Sequence, residues 1–168
     1  IGDKMENIMS YPEVLVEKEN SYYADLLSID YAGDVSETTA VMLYSYQHFD
    51  KFKENEEFSK ILEKIAIDEM IHLELLGKTI KLLGKNPVYK TCEARKEECL
   101  MWSSKNIDYT TNLKEMLEID INSEKIAIKT YEAHKKIIND KYIKVLLDRI
   151  ILDEKRHLEI FTRLYNKI

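Results

Sequence analysis

The chain has 168 residues, enough for one well-filled hydrophobic core, and a single domain over residues 1–168 is expected. Its formal net charge of −6 gives no electrostatic reason to expect a nucleic acid or an anionic membrane surface as a partner. Only 4 glycines and 2 prolines interrupt a sequence rich in Leu, Ile, Glu and Lys, and this mixture favours a few long helices over many short strands.

The cysteine content and the apolar runs indicate a location for the protein. No apolar run reaches the roughly 20 residues that a membrane-spanning helix needs. The first residues also lack the basic, apolar and small-residue order of a signal peptide. Cys92 and Cys99 are too few for a secreted disulfide scaffold or for a four-ligand zinc site. We therefore expect a cytoplasmic protein with unpaired thiols.

The spacing of apolar residues predicts four long helices and one long crossover. The predicted helices span about residues 21–52, 56–83, 113–138 and 141–165, after an irregular lead-in over residues 1–19. Gly84, followed by Asn86 and Pro87, is a typical helix stop. Residues 85–112 are therefore the predicted crossover, with a short helix expected around residues 93–102. Gly33 lies inside the first predicted helix, where it indicates either close packing or a kink.

The second and fourth predicted helices share the motif Asp-Glu-x-x-His. It occurs as Glu69 with His72, and again as Glu154 with His157, 85 residues downstream. Because a helix advances about 100° per residue, positions i and i+3 lie on one face, one turn apart. Each pair can therefore bind a metal ion. A single copy of this short motif is usually a solvated helix edge, so the argument depends on its duplication.

The first and third predicted helices share a second repeat, Ser-Glu-x-x-Ala-x-x-x-Tyr. Its two copies begin at Ser36 and Ser123, and they place Glu37 and Glu124 at an offset of 87 residues. The chain is therefore interpreted as a duplicated helical hairpin. Two short joints around one long crossover predict an all-α fold, an antiparallel four-helix bundle closed about a pseudo-twofold axis.

Six residues of the two repeats lie on inward-facing stripes that otherwise carry Leu, Ile and Ala. They are the predicted metal ligands Glu37, Glu69, His72, Glu124, Glu154 and His157. Four buried carboxylates are costly unless they are paired, protonated or bound to metal, and two divalent cations would balance their charge. Mixed oxygen and nitrogen donors suit iron or manganese. The alternative is a duplication kept for packing alone.

Four further side chains are predicted to support the ligands. They are Asp68, Asp153, Tyr44 and Tyr131. Each aspartate is expected either to accept a hydrogen bond from the second ring N–H of the opposite ligand histidine, or to be a surface charge. Each tyrosine is expected to fill the core, to donate to a ligand carboxylate or to have a redox role.

Three other polar residues of the helices are tested by helix geometry. His48 lies about 16 Å along the helix from Glu37, and His134 lies about 15 Å from Glu124, so neither is expected to be a ligand of the same site. Asp120 lies one turn before Glu124 and faces inward, which makes it a reserve ligand.

These residues resemble the ferritin-like di-metal carboxylate superfamily, in which two helices carry a Glu and two carry Glu-x-x-His. The similarity is strongest to the rubrerythrin-like branch and covers about residues 23–165. Residues 31–37, Tyr-Ala-Gly-Asp-Val-Ser-Glu, also resemble the approach to the first ligand in manganese catalases. The chain differs from typical rubrerythrins in two places. It lacks the two Cys-x-x-Cys pairs of a rubredoxin-like module, and it has Ala127 where they carry an additional Glu.

The resemblance implies an oxidoreductase whose six predicted ligands act through two transition-metal ions, with iron favoured over manganese. It implies a rubrerythrin-like peroxidase that acts on hydrogen peroxide or O₂ and takes electrons from an external donor. A manganese catalase, or a ferroxidase or iron-binding protein, is the alternative, beside a structural bundle with a vestigial site. A homodimer is expected by analogy, with neither a nucleic acid nor a membrane as partner.

Overall fold

The computed structural model describes residues 10–92 and 99–168, and helices dominate it. The helices are α1 (Ser21–Ala32), α2 (Glu37–Lys51), α3 (Glu56–Leu82), α4 (Leu113–Ile137) and α5 (Lys141–Tyr165). Between α3 and α4 lie the antiparallel strands β1 (Lys90–Cys92) and β2 (Cys99–Met101), then a 3₁₀ turn at Ser104–Asn106. Within these described ranges, no helix combines the length and apolarity that a membrane span requires.

The helices pack as two antiparallel hairpins, α2 with α3 and α4 with α5, joined by the long crossover. This arrangement confirms the predicted all-α bundle. Each helix begins after a residue whose side chain accepts a hydrogen bond from a backbone N–H of the first turn, which satisfies an otherwise unpaired donor. These capping residues are Asn20, Ser36, Asn55, Asn112 and Asp140. The division of the chain into domains stays a prediction.

The predicted first helix, residues 21–52, is wrong in one respect, because the chain breaks between α1 and α2. Gly33 ends α1 with its N–H donating to the Ile29 carbonyl. A Cβ atom at Gly33 would lie 2.6 Å from that carbonyl oxygen, so a larger residue would displace the backbone. Ser36 then caps α2 and places Glu37 at its first residue. In the second hairpin, by contrast, α4 runs unbroken through Glu124.

The crossover also differs from its prediction. Residues 93–98 of the expected short helix, 93–102, lie outside the described residues, and residues 99–101 form β2 instead. Cys92 and Cys99 face each other in the register of β1 and β2 and are joined by a disulfide, with their Cα atoms 4.4 Å apart. The expectation of unpaired thiols is therefore wrong. Two cysteines seven residues apart give no sign in the sequence that they form a disulfide. The β1–β2 hairpin is what brings the two sulfurs together.

Reduction of this disulfide is expected to lower the free energy of unfolding by about 2.5 kcal/mol, because the bond closes a short loop in the unfolded chain. Urea unfolding followed by circular dichroism, with and without a dithiol reductant, measures the difference. The Cys92→Ser/Cys99→Ser double variant is the control, and its unfolding midpoint should not respond to reductant. Equal midpoints for the oxidised and reduced wild-type chain would contradict the prediction.

A layer of buried polar residues divides the hydrophobic core into two clusters. On α3, Leu62 precedes Glu69 and belongs to one cluster, whereas Leu76 follows His72 and belongs to the other. Helix α5 crosses the same layers in the opposite direction. The polar layer is therefore closed above and below by apolar side chains, which keep bulk water from it and hold its residues in fixed rotamers.

Candidate metal centre

The structure brings all six predicted ligands together in the polar layer, although they come from four helices. Each is at most 4% exposed. They form two groups of four, and within each group one ligand atom from every residue lies within 4.8 Å of the others. The first group is Glu37, Glu69, His72 and Glu154, and the second is Glu69, Glu124, Glu154 and His157. Each group has the donors of a metal site, and the two groups share two carboxylates.

The shared carboxylates lie between the two histidine rings. Glu69 directs Oε2 to His72 Nδ1 at 2.9 Å and Oε1 to His157 Nδ1 at 3.1 Å. Glu154 directs Oε1 to His72 Nδ1 at 2.9 Å and Oε2 to His157 Nδ1 at 3.8 Å. Each of these carboxylates therefore offers one oxygen to each group, as a ligand that bridges two ions would.

The second ring nitrogen of each histidine points out of the cluster to an aspartate on the other hairpin. His72 Nε2 lies 3.1 Å from Asp153 Oδ2, and His157 Nε2 lies 3.3 Å from Asp68 Oδ2. These are the cross-hairpin contacts that the sequence predicts. With an N–H donated from Nε2, Nδ1 of each ring faces the carboxylates of the cluster, so the aspartate contacts hold the orientation of both rings.

Two buried tyrosines donate hydrogen bonds to Glu37 and Glu124, the outer carboxylates, each of which belongs to one ligand group only. These contacts also cross between the two hairpins. Tyr44 on α2 donates its hydroxyl proton to Glu124 Oε1 at 2.5 Å, and Tyr131 on α4 donates to Glu37 Oε1. Burial and the adjacent carboxylate charges raise the pKa of both phenols well above their usual value. Both hydroxyls therefore stay protonated and act as hydrogen-bond donors, which is the second of the three roles predicted for them.

The ligand side chains strongly perturb one another's protonation. Burial, reinforced by neighbouring carboxylates, raises the pKa of Glu37 and of Glu124 well above the usual range. Burial alone would lower the pKa of His72 and His157, but the surrounding carboxylates outweigh it and raise both values well above normal. Protons thus offset part of the carboxylate charge, and bound cations would take their place.

Unsatisfied polar atoms in the cluster also fit metal ions. Glu69 Oε1, Glu154 Oε1 and His157 Nδ1 are buried and, as far as the described residues go, have no hydrogen-bond partner. Buried polar atoms without partners are rare, because each loses its hydration without compensation. Glu69 Oε1 and His157 Nδ1 are 3.1 Å apart without the geometry of a hydrogen bond, and all three residues belong to the ligand groups. A cation in each group would satisfy them, so the residues present fit a two-metal centre.

A small cavity of about 30 Å³ opens beside the cluster, between α2 and α4. Glu37, Glu69, Glu124 and Glu154 line one side of it. The rest of the lining includes Asp30, Tyr44 and Tyr131, and also Ala127, which stands where typical rubrerythrins carry an additional Glu. The volume suffices to hold a molecule the size of water or hydrogen peroxide next to the carboxylates.

Sequence reasoning missed three residues that hold the supporting aspartates. Tyr11 donates to Asp153 Oδ2 at 2.5 Å, and burial with this hydrogen bond raises its pKa to about 12. Arg149 Nη1 lies 2.8 Å from the same oxygen, and Arg156 Nη2 lies 2.7 Å from Asp68 Oδ2. The spacing of four residues between Arg149 and Asp153 was a usable signal. Tyr11 gave none, because the segment before α1 has no periodicity.

The residues set aside by helix geometry lie outside the cluster. His48 Nδ1 contacts the Ser59 carbonyl at 2.8 Å, and His134 Nδ1 lies 2.6 Å from Asp30 Oδ2. Asp120 accepts a hydrogen bond from the Gln47 side chain at 2.8 Å. None of the three belongs to either ligand group of the described residues.

Asp68→Asn is expected to weaken metal binding at the group that contains His157 by about 10- to 100-fold, because an amide is a weaker acceptor for the imidazole N–H. Competition with a chromogenic chelator measures the affinity of each ion. Asp148→Asn on α5 is the matched control, since Asp148 is 57% exposed and lies outside the cluster. Equal affinities for Asp68→Asn and the wild-type chain would contradict a supporting role for Asp68.

Comparison with known proteins identifies a family whose model matches this chain and solved structures that share its fold. The rubrerythrin family model matches residues 33–165. A probable manganese catalase from Clostridium acetobutylicum is 26% identical over 179 residues, which cover 97% of this chain and 79% of that protein.

Two solved structures resemble the chain in their fold. A manganese catalase from Anabaena PCC7120 superposes with a TM-score of 0.83 at 24% identity, covering 99% of this chain and 80% of the other. A bacterioferritin from Mycobacterium tuberculosis superposes with a TM-score of 0.69 at 22% identity, covering 89% and 87%. The ferritin-like form of the predicted bundle is thereby confirmed.

Proposed function

This chain belongs to the rubrerythrin family, and from that premise we propose that it is a two-metal enzyme that disproportionates hydrogen peroxide to water and O₂. The observation that carries the proposal is the pair of carboxylates, Glu69 and Glu154, each offering one oxygen to each ligand group beside a cavity of peroxide size. The relative from Clostridium acetobutylicum, a probable manganese catalase that matches 97% of the chain, supports manganese as the metal.

The six ligands divide into bridging and terminal roles in this proposal. Glu69 and Glu154 would be shared between the two ions. Glu37 and His72 would complete one site. Glu124 and His157 would complete the other. Ions bound in this way supply two-electron redox chemistry, which oxidises one peroxide molecule to O₂ and reduces a second to water.

The surrounding residues would orient the ligands and control access to them. Tyr44 and Tyr131 hold one oxygen of each outer carboxylate and leave the other oxygen for an ion. The aspartates on the opposite hairpins keep each imidazole in the tautomer that exposes Nδ1. The apolar clusters above and below leave the cavity between α2 and α4 as the approach for peroxide.

A peroxidase that uses iron and an external electron donor is the second candidate, because the family model that matches the chain is that of rubrerythrin. It requires the same ligands and the same cavity. The two candidates differ in the source of electrons: disproportionation draws them from a second peroxide, whereas a peroxidase needs a reductant.

Protein purified without oxygen and assayed with peroxide in an oxygen electrode separates these functions. Two manganese ions per chain and O₂ released at half the rate of peroxide loss, without reductant, are expected. Peroxide loss that requires a reductant and releases no O₂ would favour the peroxidase. Oxidation of many equivalents of Fe²⁺ would indicate a ferroxidase, and the absence of any bound transition metal would rule out all three functions.

A further inference from the structure

We propose that Asp30 is a proton store for the peroxide reaction, held in position by His134 at the edge of the cavity. The proposal rests on the proposed function, because oxidation of one peroxide releases two protons and reduction of the next consumes two. A group beside the cavity that accepts a proton in one half-reaction and returns it in the other would couple the two.

The position of Asp30 distinguishes it from the other acidic residues of the site. It lies on α1, is 4% exposed, and lines the cavity together with Glu37, Glu69, Glu124 and Glu154. Those four carboxylates belong to the ligand groups, whereas Asp30 belongs to neither. Among the described acidic residues that line the cavity, Asp30 is therefore the one left to exchange protons.

His134 provides the contact that makes such a carboxylate usable. It lies on α4 and is 6% exposed, and its Nδ1 is 2.6 Å from Asp30 Oδ2. An N–H donated from Nδ1 occupies this one carboxylate oxygen and leaves the other, Oδ1, free of that contact. The short distance and the burial of both partners fix the carboxylate in one orientation.

Titratable groups from every helix packed around the cavity surround Asp30. On α4, His134 donates to it, and Tyr131 and Glu124 line the same cavity. Glu37 on α2, Glu69 on α3 and Glu154 on α5 face it across the cavity. Burial raises the pKa of Asp30, while the contact with His134 opposes part of that rise. The acid and the carboxylate are thus closer in energy than they are for an exposed aspartate, as a reversible proton store requires.

Asp30 carries one of the two protons of each half-reaction. In the oxidative half-reaction, hydrogen peroxide in the cavity gives one O–H proton to Asp30 Oδ1 and the other to solvent water, and the two electrons would pass to the bound metal ions as O₂ forms. In the reductive half-reaction, the Asp30 acid returns its proton and solvent water supplies the second, the two electrons would pass back, both peroxide oxygens leave as water, and the carboxylate is restored. Throughout both steps, His134 keeps its Nδ1–H on Asp30 Oδ2.

Asp30→Asn tests the store, because an amide keeps an oxygen for the His134 contact but cannot carry the proton. Loss of general acid–base catalysis predicts a fall in kcat of about 100-fold or more, with two metal ions still bound. Asp25→Asn is the matched control on the same helix, since Asp25 pairs with Lys85 outside the cavity and should keep the wild-type rate. Unchanged kcat in Asp30→Asn, or loss of its metal ions, would overturn the proposal.

Infrared spectra give a readout that is independent of turnover. A protonated-carboxyl band that shifts in D₂O and changes when peroxide is added should appear in the wild-type chain and in Asp25→Asn. It should be absent from Asp30→Asn. Persistence of the band in Asp30→Asn would assign the proton to another group and overturn the proposal.

His134→Gln tests the same store while Asp30 is retained. Loss of the imidazole N–H removes a contact that lowers the pKa of Asp30. The pH below which kcat declines should therefore move upward, whereas a purely structural role would leave the pH profile unchanged. A wild-type chain that binds metal but does not disproportionate peroxide would reject the proposed function itself, which separates that failure from failure of the proton store.

Discussion

Glu69→Gln is expected to abolish binding of both metal ions and to reduce peroxide loss to the rate in protein-free buffer. Glu69 belongs to both ligand groups, with Oε2 toward His72 and Oε1 toward His157. Glutamine has a similar size but carries no charge and offers one oxygen in place of two. Each site therefore loses charge, and the pair of sites loses one of its two bridges. Metal analysis after gel filtration gives the stoichiometry directly.

Glu37→Gln is the informative comparison, because Glu37 belongs to only one of the two groups. It is expected to lose one ion and to retain the other. Glu74→Gln on α3 is the neutral control, since Glu74 is exposed and pairs with Lys78 on the surface. Loss of a single ion from Glu69→Gln, or of both ions from Glu37→Gln, would contradict the assignment of bridging and terminal carboxylates.

The clustering of the six predicted ligands could be anticipated from the sequence because its signal is local and repeated. Glu69 and His72 are one helical turn apart, so their relation survives any error in the placement of whole helices. The offset to Glu154 and His157 then showed that two such faces exist. The aspartate contacts followed from the pseudo-twofold arrangement, since each motif has to face its copy on the opposite hairpin.

The features that the sequence did not reveal depend on contacts between distant segments. Tyr11 reaches Asp153 from a segment without periodicity, across 142 positions of the chain. The Cys92–Cys99 disulfide needs a hairpin whose strands are only three residues each, too short to show alternation. The break after Ala32 was signalled by Gly33, but helical propensity alone does not separate a kink from close packing.

The break at Gly33 also explains an asymmetry between the halves of the site. Because α2 begins at Glu37, the chain before it is free to turn, and α1 carries Asp30 to the edge of the cavity. The second hairpin has no equivalent, since α4 continues straight through Glu124. The two copies of the predicted ligand set therefore have different surroundings, and Asp30 lies at the cavity on one side only of the duplicated pair among the described residues.

Removal of the metal ions is expected to lower the melting temperature of the wild-type chain by roughly 15 to 30 °C. An ion that binds only the folded state at about 1,000 times its dissociation constant stabilises that state by about 4 kcal/mol, so two ions contribute about 8 kcal/mol. For a chain of this size, each kcal/mol corresponds to roughly 2 to 4 °C. Without cations the clustered carboxylates must instead be protonated or repel one another. Calorimetry before and after dialysis against a chelator measures the change.

Glu69→Gln provides the control for chelation, because a chain that binds no metal should melt at one temperature with or without chelator. Its melting temperature should also lie below that of the metal-depleted wild-type chain, because Glu69 pairs with both buried histidines and its replacement leaves their charge without this partner. Restoring Mn²⁺ to the depleted wild-type chain should recover the higher value, whereas Glu69→Gln should not respond. A wild-type chain whose melting temperature is unchanged by complete metal removal would show that the polar layer is held by its hydrogen bonds alone, and the two-metal assignment would then be rejected.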